Sequence, residues 1–336
     1  MSELVSILIP AFNAEAFVSN AIASAVTQTW PRKEVVVVDD GSSDRTLSIA
    51  RQFSSENVSI LTQPNQGASS ARNKAFSACQ GDYIQWLDAD DILAPDKIEK
   101  QMSAWKSDCT ARTLLSSSWG HFRRNIATAK FVPSRLWCDL SPTDWLVRKL
   151  GEDLYMQPAT WLATRALTEA AGPWDTRLSL DDDGEYFCRL VAASDGVKFV
   201  PEAKMFYRRG ANTLSDVDYS SKKLESQCLA LKLQIEHLLP LEKSDRTKRA
   251  SLNFLQTYAI YFYPERSDLI NELQTIASSL GGRVEIPQLP WKYAWIQKLF
   301  GWSAAKRARR IYNQWKSALI GAADHGRMAI SQQHGA

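Results

Sequence analysis

Asp88, Asp90 and Asp91 follow directly on the apolar run Tyr83-Ile84-Gln85-Trp86-Leu87. On an extended backbone Asp88 and Asp90 alternate, so both side chains can face one side while Ala89 packs behind them. Hard carboxylate oxygens select Mg2+ or Mn2+, and such ions keep open positions for the phosphates of a substrate. A second acidic cluster, Asp181-Asp182-Asp183, stands before an apolar helical pattern that holds Tyr186, Phe187 and Leu190. Successive aspartates repel one another, which raises the proton affinity of one member and makes it a better general base.

The elements that position these groups read as an α/β fold. Apolar runs at residues 5–9, 35–38, 58–61 and 83–87 are near-continuous, as in strands covered on both faces. Helical patterns lie between them. One carries Phe17, Val18, Ala21, Ile22, Ala25 and Val26, with Asn13 as its cap. Another opens near Asp44, itself expected to cap, and a third follows Gly67. Strand-helix alternation predicts a mostly parallel sheet, with ligands gathered past the carboxyl ends of the strands. Further on, Ser141-Pro142 reads as a cap and first helical position, in a helix ending at Gly151. Helices are expected over 222–239, 252–263 and 269–280, the last stopping at Gly281-Gly282. The best division of the chain falls at residue 220.

The residues past each strand resemble the motifs of the family-2 glycosyltransferases, inverting enzymes of the GT-A fold that use nucleotide-sugar donors. The matching text is Val5-Ser-Ile-Leu-Ile-Pro-Ala-Phe-Asn13, Gln28-Thr29-Trp30, Val36-Val-Val-Asp-Asp-Gly-Ser-Ser-Asp44, Asn65-Gln-Gly-Ala-Ser-Ser-Ala-Arg-Asn73 and Leu87-Asp-Ala-Asp-Asp91. Five ordered motifs at compatible spacing make this a specific signal, covering roughly residues 3–215.

The resemblance implies a GT-A type, Rossmann-like, mostly parallel sheet flanked by helices at 1–220, and the helical patterns beyond it predict a C-terminal helical extension at 221–336. It implies that Phe12 lies against a uracil or thymine ring, with Pro10 and Ala11 at its edge. Asp40 would accept from a base N–H while Asp39 supports the turn, and Gly41 lets the chain reverse. Arg72 would meet the base or the diphosphate. Asp90 would bind the Mg2+ or Mn2+ ion and Asp88 would approach the ribose. The segment Gly172-Pro-Trp-Asp175 followed by 180–190 is similar to the family's acceptor and acidic motifs, which makes Asp183 the candidate base and Asp182 its reserve. Trp174 would form an acceptor wall or a core anchor. Many relatives carry a histidine in the loop that here reads Tyr207-Arg208-Arg209-Gly210-Ala211-Asn212, and none of the four histidines lies there. Arg208 or Arg209 would then neutralise the diphosphate, or Asp90, phosphates and water would hold the ion.

The implied activity is transfer of a single sugar from a UDP- or dTDP-sugar to a hydroxyl of a glycan or lipid-linked acceptor in cell-surface polysaccharide synthesis. A catalytically silent nucleotide-sugar or glycan-binding module of the same fold is the alternative. A nucleotidyltransferase is disfavoured, since no Gly-x-x-x-x-Gly-Lys loop occurs. At 336 residues, 45% hydrophobic and 23% charged with a formal charge of +3, the chain is an ordinary globular protein with no single-sign excess to favour nucleic acid. Cys79, Cys109, Cys138, Cys188 and Cys228 are scattered, as expected of reduced thiols in a cytoplasmic protein. Its first residues lack the pattern of a secretory signal, and no apolar stretch approaches a membrane span. Residues 291–319 mix aromatic and basic side chains: Ala308, Ile311, Tyr312, Trp315 and Leu319 share one helical face, with Lys306, Arg309, Arg310, Asn313 and Lys316 mostly opposite. Such a segment suits peripheral contact with a lipid headgroup layer.

Overall fold

The computed structural model describes residues 3–209 and 220–333, and side chains in helix residues 108, 313, 314 and 316–333 lie outside the described set. In chain order the first elements are β1 (Val5–Ala11), α1 (Val18–Val26), β2 (Lys33–Asp39), α2 (Thr46–Arg51), β3 (Val58–Thr62), α3 (Ala68–Ala78) and β4 (Tyr83–Trp86). Val5, Ile7, Leu8 and Ile9 of β1 and Val35 to Val38 of β2 are all buried, which is why these runs do not alternate. Each such side chain contributes about 1.5–3 kcal/mol by leaving water. Strands β3, β2, β1 and β4 are neighbours in that order and run parallel, the direction expected. The short β8 (Ala163–Thr164) closes the sheet antiparallel to β4.

A second sheet, not anticipated, is built from β5 (Ile92–Leu93), β6 (Thr113–Phe122), β7 (Lys130–Phe131) and β9 (Gly196–Arg208), in the order β5-β9-β6-β7. β6 and β9 run parallel, with a register shift at Ser117/Ser118 that leaves residues 201–203 of β9 unpaired at a bulge. This shift accommodates Pro201, which lacks a ladder donor. Around the sheets pack α4 (Lys97–Asp108), α5 (Pro142–Glu152), α6 (Arg165–Ala171), α7 (Asp182–Ala193) and α8 (Ser221–Leu238).

Ser141 caps α5 as expected, accepting from the Asp144 N–H. The helix runs past Gly151, however, and the left-handed position that ends it falls on Asp153. Asn13 does not cap α1; at φ 47° it turns away and accepts from the Ser43 N–H. Asp44 does accept at the start of α2, from the Thr46 N–H.

Two compact units divide the chain. The first holds the residues up to Arg209 together with Ser220–Phe254, so α8 and the start of α9 (Asp245–Phe262) belong to it rather than to a tail beginning at 221. The reason is polar as well as apolar: α8 supplies Gln227 and Gln234 as hydrogen-bond donors to the Asp181 carboxylate. The second unit contains α10 (Ser267–Ser279) and α11 (Ala294–Gln333), the latter kinked at Gly301, where φ is 83°. α10 ends as expected, with the Gly282 N–H donating back to the Ala277 carbonyl. Among the described residues no helix is long and apolar enough to cross a membrane.

Candidate active site

The carboxyl ends of β1, β2 and β4 lie side by side, with Ala11 paired to Asp39 and Leu8 to Trp86. Past β1, Ala11 is buried and Phe12 stands 49% exposed, an aromatic face without a cover. Past β2, the chain reverses at Gly41 with φ 73°, where a Cβ would lie 2.7 Å from the Asn65 nitrogen.

Asp40 departs from its expected role. It is 2% exposed, and its carboxylate accepts from Gln63 Nε2, the Gln66 N–H and the Gly67 N–H at 2.7–2.9 Å. Asp40 therefore ties the β2 loop to the start of α3. Asp39 accepts from the Ser42 N–H through Oδ2, while its buried Oδ1 has no partner among the described residues.

α3 is the element that joins the two acidic clusters. Arg72 is 6% exposed and donates through one terminal nitrogen to Asp88 at 2.8 Å and through the other to Asp182 at 2.7 Å. Ser69 adds a hydrogen bond to the same Asp182 oxygen. Burial works against the Arg72 charge, but the Asp88 and Asp182 carboxylates prevail and raise its pKa. Its guanidinium lies 4.2 Å from the centre of the Trp174 ring, and that ring stacks at 3.9 Å on Tyr186. Asn73 grips the Trp174 backbone through both its amide atoms. Trp174, only 2% exposed, is thus the core anchor beneath Arg72 and not an acceptor wall.

Asp183 lies half-buried in the first turn of α7, its Oδ1 accepting from the Gly184 N–H. Burial first, then the Asp182 and Asp181 charges, push its pKa up to about 7, against a smaller opposing effect of Arg72. Asp181, left-handed at φ 59°, is held by Gln227 and Gln234, and Lys149 in turn donates to Gln234 at 2.7 Å. Glu185, one turn on, is buried against Arg189 and His237. Sequence reasoning passed over Gln227 and Gln234; their signal was two amides seven residues apart on the apolar stripe Leu224, Cys228, Leu231, Ile235 and Leu238.

Asp88 to Asp91 form a tight turn, closed by the Asp91 N–H donating to the Asp88 carbonyl. Arg208 staples this turn: its N–H donates to Asp91 Oδ1 and its Nε to the Asp90 carbonyl, between the rings of Phe17 and Phe122. Buried in that way, Arg208 is a scaffold residue and not a free cation for a diphosphate. Arg209 beside it is exposed, and residues 210–212 of the same loop lie outside the described residues. Burial and the Asp88 charge push Asp90 up to about 6, and burial with Asp90 and Asp88 pushes Asp91 well above the carboxylate range. Asp91 Oδ2 has no hydrogen-bond partner among the described residues.

Crowded, under-neutralised carboxylates of this kind fit a hard divalent cation. No group of three or more His, Cys, Asp or Glu side chains encloses a metal position among the described residues. An ion at this turn would need phosphate and water oxygens to complete its shell.

The family model for glycosyl transferase family 2 matches residues 6–135, which include β1 to β4 and the Asp88–Asp91 turn. Residues 6–135 belong to glycosyl transferase family 2. The chain is similar to an uncharacterized glycosyltransferase of Haemophilus influenzae, 38% identical over 30% of this chain and 41% of that protein. Uncharacterized glycosyltransferase EpsJ of Bacillus subtilis is 26% identical over 65% of both chains, and Escherichia coli chondroitin synthase 40% identical over 31% of this chain and 16% of its own. The aligned part thus spans from about a sixth to about two-thirds of these relatives. Beyond the family-2 segment the fold continues to match: S. aureus TarS 1–349, solved with UDP-GlcNAc, superposes with a TM-score of 0.68 at 16% identity, covering 94% of this chain and 92% of that one. The architecture is therefore of the GT-A type, with helices following it.

Proposed function

We propose that the protein is an inverting, metal-dependent glycosyltransferase that moves one sugar from a UDP- or dTDP-sugar to a hydroxyl of a glycan or lipid-linked acceptor, in cell-surface polysaccharide synthesis. The observation that carries this reading is the single arginine, Arg72, that holds the Asp88 turn and the Asp182-Asp183 cluster to one another. Donor-side and acceptor-side carboxylates thereby belong to one rigid unit.

In this reading Phe12 stacks on the pyrimidine, with Pro10 and Ala11 along its edge. Asp39, buried past β2, supports the turn, while Asp40 keeps the loop in shape. Asp88 faces the ribose, and Arg209, exposed at the end of β9, offsets diphosphate charge. A Mg2+ or Mn2+ ion held by Asp90 would neutralise the leaving diphosphate. Asp183 accepts the proton of the acceptor hydroxyl as its oxygen attacks the anomeric carbon opposite the leaving group. A pKa near 7 suits this task, because a stronger base is still deprotonated in a useful fraction at neutral pH. Asp182, fixed by Arg72 and Ser69, is a positioning residue. A cytoplasmic setting is supported by five cysteines that form no disulfide.

Incubation of the purified protein with a panel of UDP- and dTDP-sugars, Mn2+ and an acceptor hydroxyl tests the reading. Release of nucleoside diphosphate is expected, with loss of the rate by about 10²–10⁴-fold in Asp183→Asn. Release that is unaffected by that substitution would remove Asp183 from the mechanism.

A further inference from the structure

α11 turns an apolar and basic face outward. Its inner side is anchored: the Trp302 ring packs edge-on against Tyr263 at 4.9 Å, Ala305 is buried, and Lys306 Nζ donates to the Tyr261 and Tyr263 carbonyls and to Glu265. Lys306 thus points inward and is not part of the outward basic set with which the sequence pattern groups it. The side chains of Asn313, Lys316 and Leu319 lie outside the described residues.

The outer side holds Trp295 and Leu299, four residues apart on one face of α11, with Phe300 beside them and Trp291 in the short 3-10 turn (Trp291–Tyr293) just before the helix. Trp291 is 88% exposed and the others 61–69%, far more than a soluble surface usually leaves of such side chains. Past the kink at Gly301, Ile311, Tyr312 and Trp315 are also exposed. Lys292 lies 4.2 Å from the centre of the Tyr312 ring, which brings the segment before the kink alongside the helix after it. Lys298, Arg307 and Arg310 of the same helix are exposed as well. From residue 286 to residue 323 the chain has seven Lys and Arg and no Asp or Glu.

We infer that this face docks on the anionic headgroups of a bilayer. Rings of Trp and Tyr settle at the headgroup level, apolar side chains reach the acyl boundary, and Lys and Arg meet lipid phosphates. A protein partner's pocket would need no run of thirty-eight residues free of acid, whereas an anionic surface selects for it. The inference stands apart from the sugar-transfer reading, since it concerns the second unit alone.

Co-sedimentation of the full chain with phosphatidylcholine vesicles, with or without an equal part of phosphatidylglycerol, tests it. Binding to the mixed vesicles is expected, roughly tenfold weaker to the neutral ones, and weakened by added salt. The triple variant W291S/W295S/F300S should lose binding by about tenfold or more while its thermal melting stays unchanged, because these side chains are exposed. A protein that stays in the supernatant with both vesicles, or a triple variant that sediments like the wild type, would overturn the inference. So would equal binding to neutral vesicles, or a concentration-dependent dimer lost in the triple variant without any vesicle binding. Should the triple variant melt early, K298E/R310E offers a second reading: binding to the mixed vesicles must fall, and unchanged binding counts against the proposal.

Discussion

Arg72 and Asp182, 110 residues apart in the chain, meet at 2.7 Å. The same guanidinium reaches Asp88 at 2.8 Å, so one side chain sets the spacing between two acidic motifs.

Removing it should loosen both. Arg72→Ala leaves two carboxylates facing each other without a cation and is expected to cost about 3–5 kcal/mol in urea unfolding. Arg72→Lys should recover only part of this, because an ammonium has no planar fork to span two partners. An alanine variant as stable as the wild type would show that the bridge does not hold the clusters.

Asp183 links pH to stability and to rate in opposite directions. Its folded pKa, about 7, lies above the ordinary 3.8, so between these values the folded state binds the extra proton. Stability from this group is thus full in acid and is lost as pH rises through about 7, whereas base catalysis appears over the same interval. Asp183→Asn should therefore melt higher than the wild type at pH 8, by about 2–4 °C per kcal/mol of relief, while losing activity. A variant that melts lower at pH 8 would contradict the raised pKa.

Gly184 is the place where a single methyl should disturb the motif. A Cβ there would sit 2.8 Å from Asp181 Cγ, and Gln227 and Gln234 stop that carboxylate from moving aside. Gly184→Ala is expected to lower kcat by about tenfold or more through misplacement of Asp183. Circular dichroism should show the fold retained; a fully active variant would mean that the loop yields.

The Asp88–Asp91 turn predicts metal-dependent donor binding. Mn2+ with a preferred nucleotide sugar should stabilise the protein by about 2.7 kcal/mol at a hundredfold excess over Kd, and EDTA should abolish the gain. Asp90→Asn, relieved of a partly buried charge crowded by Asp88, should melt no lower than the wild type without ligand and lose the metal-dependent increment. An increment of equal size in that variant would place the ion elsewhere.

Much of this arrangement was legible in the chain because β1 to β4 are buried on both faces and end in polar residues. The second sheet was not. Its longest strands hide their character, β6 through the buried Ser116, Ser117 and Ser118 and β9 through Pro201 at its bulge. Their pairing joins residues some eighty positions apart, which no local pattern announces. In the site, the aspartates were readable as types at strand and helix ends, but their division of labour was not. Asp40 spends its oxygens on Gln63, Gln66 and Gly67, Trp174 vanishes beneath Arg72, and Arg208 turns to the Asp90 carbonyl, each decided by tertiary neighbours.

Gln227 and Gln234 set a lower bound on the working enzyme. A fragment ending at Arg209 would retain every aspartate of the candidate site and the whole family-2 segment, yet Asp181 would lose both amides that hold it in its left-handed bend. Catalytic competence in this protein would then be a property of the chain out to α8, so gene truncations guided by motif boundaries alone would yield a folded sheet with an untethered base.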